Sequence, residues 1–130
     1  MSTSPNPSAG KRPPGSFGMS FFRGAQERRL AATFETTLEI EGRAARLAAL
    51  IAAREADAGM ALGQIGEIEE QLARHGDELP PEIRTRVGDC VRSAQSAAMA
   101  GDLEGVTGAA RTIRDMLEQF RSAALTDAAR

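Results

Sequence analysis

Tryptophan and tyrosine are absent from this chain of 130 residues, and cysteine, histidine and lysine occur once each. The first absence removes common ligand-stacking and acid/base groups. The single thiol, Cys90, excludes an internal disulfide. Its apolar neighbours recur at helical spacing, which reads as the surroundings of a small buried hydrophobe. A nucleophilic cysteine needs a base, and the lone His75 stands in another segment, beside Gly76 at what reads as a helix end. One histidine also cannot supply the paired Glu-x-x-His motifs of carboxylate-bridged metal sites in bundles. Glu67, Glu69 and Glu70 cluster, but on a helix Glu69 points away from the other two, so they read as a solvated face. Gly63-Gln64-Ile65-Gly66 lacks the Lys-Ser/Thr of a phosphate loop, and no Cys/His set fits zinc. The expectation is no catalytic residue, no cofactor and no metal: a chain that is not an enzyme.

Long hydrophobic runs are missing as well. Nothing approaches the roughly 18 apolar residues of a membrane-spanning helix. No secretory leader is expected, because residues 1–24 lack a continuous apolar stretch and are interrupted by Pro5, Pro7, Pro13 and Pro14. Arg28-Arg29 is a poor twin-arginine signal, since Glu27 precedes it and Glu35, Glu39 and Glu41 follow. With no disulfide and no export signal, the cytoplasm is the expected compartment.

What is present is unevenly distributed. Three of the five phenylalanines, Phe17, Phe21 and Phe22, fall within eight residues together with Met19 and Arg23. They follow a Ser/Pro/Gly/Asn-rich tail that is poor in large apolar groups, so residues 1–24 read as a disordered arm. The net charge of −2 conceals an asymmetry. Lys11, Arg12, Arg23, Arg28 and Arg29 oppose only Glu27 in residues 1–29, a balance of +4, and the remainder stands at −6. A basic arm on an acidic body fits an acidic partner, nucleic acid or the body itself.

Beyond the arm the periodicity is helical and no segment alternates like a strand. Leu30, Phe34 and Leu38, then Ile40, Ala44, Leu47 and Ile51, predict a helix over residues 26–58, with a break at Gly59 or one continuous helix into the next stretch. Glu39 and Arg43 are spaced for an i,i+4 pair, and Gly42 for a close helix crossing. A second helix covers residues 60–74 through Ile65, Ile68 and Leu72, with Glu70 and Arg74 paired. Gly76 reads as its C-terminal cap, and Pro80-Pro81 as the start of a third helix over residues 81–100, carrying Ile83, Val87, Cys90, Ala94 and Ala97. Gly101-Asp102 closes that helix and caps a fourth. The fourth has the most regular seam, with Leu103, Val106, Ala110, Ile113, Leu117, Phe120 and Ala124 at alternating spacings of 3 and 4, the coiled-coil a/d pattern. The two-residue connection forces helices three and four antiparallel. The fold expected is all-α: an antiparallel hairpin or bundle of three to four helices over residues 25–130 behind the arm of residues 1–24.

The function expected is partner binding. Aromatics and arginine dominate binding hot spots, which makes Phe17, Met19, Phe21, Phe22 and Arg23 the candidate contact residues. The bland alternative has Phe21 and Phe22 stapling the first helix to the bundle. The seam of Leu103, Val106, Ile113, Leu117 and Phe120 serves either the bundle or a homo-oligomer. An adaptor, assembly factor or secretion-type chaperone fits these features. A nucleic-acid-associated accessory protein fits the basic arm, with Phe21 or Phe22 stacking on an unpaired base. A structural subunit of a larger helical assembly fits the seams. No membrane partner is expected, because a surface anchor needs a longer basic amphipathic helix.

Overall fold

The computed structural model describes the backbone of residues 14–129 and the side chains of residues 24–129. Among these the fold is all-α, with four helices: α1 (Pro14–Ala52), α2 (Ala58–His75), α3 (Pro81–Met99) and α4 (Leu103–Ala129), and a 3-10 turn at Gly76–Glu78 after α2. The chain divides into two compact units, Met1–Ala32 and Thr33–Arg130. Of the arm expected over residues 1–24, residues 1–13 lie outside the described residues and residues 14–24 belong to α1. The helix begins at Pro14, upstream of the Gln26 start read from periodicity. Proline suits a first helical turn, because its fixed φ is already helical and its missing N–H is an orphan there anyway.

The second unit is a four-helix bundle. Short connections at residues 53–57, 76–80 and 100–102 turn each helix back on its predecessor. Side chains bridge each seam that they span. Arg43 of α1 reaches Glu67 of α2 at 2.7 Å, and Gln71 of α2 donates to Glu39 of α1 at 2.5 Å. Gln95 of α3 donates to Glu69 of α2 at 3.1 Å. Arg121 of α4 donates to Glu41 of α1, which closes the ring. One apolar cluster fills the centre, from Ile40, Ala44 and Leu47 through Ile65, Ile68, Val87 and Val91 to Val106, Ile113 and Leu117.

Within α1 the expected seam divides. Ile40, Ala44 and Leu47 are buried, but Leu30 and Leu38 are exposed and Phe34 is only half-buried. The cause is angular. Successive residues are about 100° apart on a helix, so Leu38 and Ile40 differ by about 200° and cannot face one core. Thr36 and Thr37 take the inward positions instead. Their hydroxyls are satisfied: Thr37 donates to the Phe34 carbonyl at 2.7 Å, and Thr36 donates to the Glu78 carboxylate. Thr33 donates to the Glu78 carbonyl at 2.6 Å, so one turn of α1 grips the α2–α3 connection.

The break between α1 and α2 falls at residues 53–57, before Gly59, and excludes a single continuous helix. Arg54 occupies the left-handed region at φ 60°. Its N–H donates to the Ile51 carbonyl at 3.0 Å and that of Glu55 to Leu50 at 2.8 Å, the paired bonds of a Schellman stop. Asp57 then caps α2 by accepting the Met60 N–H at 2.8 Å. At the far end of α2, Gly76 does not act as a left-handed cap, since its φ is −61°. Its value is space, because a Cβ there would lie 3.0 Å from Cδ of Arg84. The α3–α4 connection behaves as read, with Gly101 at φ 74° and Asp102 accepting the Gly105 N–H at 2.9 Å.

Gly42 sits at no helix crossing: an added Cβ would meet nothing within 4 Å, and the same holds for Gly63. Nor do Glu39 and Arg43 pair with each other, because each reaches α2 instead, whereas Glu70 and Arg74 do pair, at 3.4 Å. Gly42→Ala and Gly63→Ala are each expected to stabilise the bundle by about 0.5–1 kcal/mol, because a mid-helix glycine forfeits that much to alanine. Gly76→Ala should gain less than either, since the Arg84 side chain must shift by a few tenths of an ångström to admit the Cβ. Urea unfolding of the three variants checks this, and equal effects of one sign would contradict the packing described.

Candidate functional site

The side chains of Phe17, Met19, Phe21, Phe22 and Arg23 lie outside the described residues; their backbone falls within α1. The α4 seam is spent inside the bundle. Val106, Ile113 and Leu117 are buried in the core, while Leu103 and Phe120 are half-buried at either end. Cys90 is half-buried at the edge of the core, not sealed within it. Burial pushes its thiol above the ordinary range, Asp89 adds to the shift and Arg86 opposes it. A raised thiol is a poorer nucleophile near neutrality. His75 lies at the end of α2 with its Nδ1 4.0 Å from Glu78 Oε1, a loose half-exposed pairing.

Surface grooves run between neighbouring helices of the bundle. The α1–α2 groove, about 600 Å³, is lined by Leu38, Gly42, Arg46 and Gln64, and it carries the Arg43–Glu67 and Gln71–Glu39 hydrogen bonds. Its polar groups are largely occupied by one another. A shallower groove of about 410 Å³ runs between α3 and α4 past Cys90, Gly105 and Thr112.

The third groove, about 810 Å³, has a largely apolar lining. It lies where the end of α1 meets the start of α4. Antiparallel packing brings those ends together, so Ile51, Ala52 and Ala56 face Leu103, Thr107 and Gly108. Arg54, Asp57, Glu104 and Arg111 supply its charges. Asp57 is committed to capping α2. Neither Arg54 nor Arg111 has an ion-pair partner among the described residues. Nothing in the local sequence announces Arg54 as a left-handed residue. Gly108, in the interior of a helix, is the one sequence signal that could have pointed here.

The described residues hold no group of three or more His, Cys, Asp or Glu able to bind a metal ion. No described helix is long and apolar enough to cross a membrane. Neither the known protein families, nor the curated proteins, nor the solved structures contain a significant match to this chain.

Proposed function

We propose that the chain is a non-enzymatic protein-interaction module: an adaptor, assembly factor or secretion-type chaperone that acts in the cytoplasm and is able to self-associate. The observation that carries the reading is the Phe17/Met19/Phe21/Phe22/Arg23 cluster, placed upstream of a bundle whose core residues run from Ile40 to Leu117. Aromatic anchors beside an arginine suit an apolar groove with an acidic rim on a partner. Exposed Leu38, Met60, Met99 and Leu125 give the bundle further apolar contact points. Self-association would use such outer positions, because the α4 seam is occupied. Mechanism in this setting is affinity and tethering, not bond chemistry. The test is affinity capture by the full chain against Phe21→Ala/Phe22→Ala. Loss of partner recovery supports the reading, and unchanged recovery removes the arm's role.

A further inference from the structure

We propose that the groove between the end of α1 and the start of α4 docks an acidic, apolar peptide segment of a partner protein. This rests on reading the chain as a protein-interaction module, and it gives that module a contact surface separate from the Phe/Arg stretch.

The groove's floor is apolar, built from Ile51, Ala52, Ala56 and Leu103. Its two guanidiniums, Arg54 and Arg111, lack ion-pair partners among the described residues. The two acids on the same rim are already compensated by backbone. Asp57 accepts the Met60 N–H as the cap of α2, and Glu104 stands in the first turn of α4, where the helix dipole favours a carboxylate. Arg111 lies well inside α4 and receives no such compensation. A ligand carboxylate is what these forks are shaped to receive, because guanidinium and carboxylate match in two-point geometry.

Two residues of this groove also depart from local preference, Arg54 in serving the stop of α1 and Gly108 with no packing contact to account for it. Arg54 takes a left-handed φ of 60°, a conformation that glycine adopts without steric cost. Gly108 interrupts a helix where an added Cβ would meet nothing within 4 Å, so alanine would be accommodated and would favour the helix by about 1 kcal/mol. Departures of this kind concentrate at functional positions. Here they keep a guanidinium at one edge and leave the α4 wall free of side chain. A basic occupant is disfavoured by both arginines. The chain's own stretch around Lys11, Arg12 and Arg23 carries the same sign, so a second copy's arm does not fit.

The experiment pans a random dodecapeptide display library against the full chain. The peptides enriched are expected to combine acidic with large apolar residues. The best of them, made synthetically, should bind at least tenfold more weakly to Arg54→Glu/Arg111→Glu, and also to Gly108→Leu, which fills the floor. All three positions are exposed, and thermal melts establish that the variants fold. The Phe21→Ala/Phe22→Ala chain should bind the peptide undiminished, so failure of the groove and failure of the arm are told apart. The proposal is overturned by no enrichment, by enrichment of basic or uncharged peptides, or by affinity within twofold after charge reversal.

Discussion

Leu117→Ala is expected to lower the stability of the bundle by about 2–5 kcal/mol, whereas Leu125→Ala, two turns further along the same helix, should change it by less than about 0.5 kcal/mol. Leu117 is fully buried and Leu125 is 56% exposed. The first substitution loses the transfer free energy of the removed carbons and leaves a cavity that surrounding helices close only in part. The second loses neither. Small domains hold about 5–15 kcal/mol in total, so the Leu117 variant should spend a large fraction of it and melt at a visibly lower temperature. The many alanines on facing helices deepen the effect, because short side chains cannot swing into the vacated space. Urea unfolding followed by far-ultraviolet circular dichroism measures both. A Leu117→Ala loss no greater than that of Leu125→Ala would mean that α4 is rotated from the orientation described.

The second large effect is expected at the α1–α4 ion pair. Glu41 and Arg121 side chains are only 17% and 16% exposed. Glu41→Ala should cost about 1–3 kcal/mol, chiefly because Arg121 is left sequestered without its acceptor. Glu41→Met/Arg121→Met should lose less than the two single methionine variants combined, since removing both charges removes the desolvation penalty with the attraction. The expected coupling is about 0.5–3 kcal/mol in a double-mutant cycle. It should persist in added salt, because ions screen a sequestered pair weakly. Strict additivity of the single variants would show that the two groups act independently.

Much of the bundle is legible in the sequence, and what is not follows from two physical causes. The ends of α3 and α4 carry strong local chemistry: Pro81 in a first turn, Gly101 at positive φ and Asp102 as a cap. The α4 seam alternates by 3 and 4, so Val106, Ile113 and Leu117 remain on one face and are buried together. The Leu30/Phe34/Leu38 series uses only steps of 4. Each step drifts by about 40°, so the stripe winds off the core face that begins at Ile40. The break at residues 53–57 was hidden because an arginine fills a position where glycine is the usual marker. The α1–α4 groove had one faint local sign, Gly108 inside α4. It joins residues 51–57 to residues 103–111, which meet only once the ring is closed. The Phe/Arg cluster is the reverse case: plain in composition, and tied to no partner by anything in the bundle.

The bond between Glu41 and Arg121 links residues 80 apart, against 24 for Arg43 and Glu67 across the first hairpin. Loop-closure entropy grows only with the logarithm of length, so sealing the ring asks about 1 kcal/mol more of the chain than forming that hairpin. The densest of the other inter-helix contacts join neighbours along the chain, α3 with α4 and α2 with α3, and only a few join α2 to α4. A topology in which near contacts form early and a single distant seam adds so little is one that folds fast.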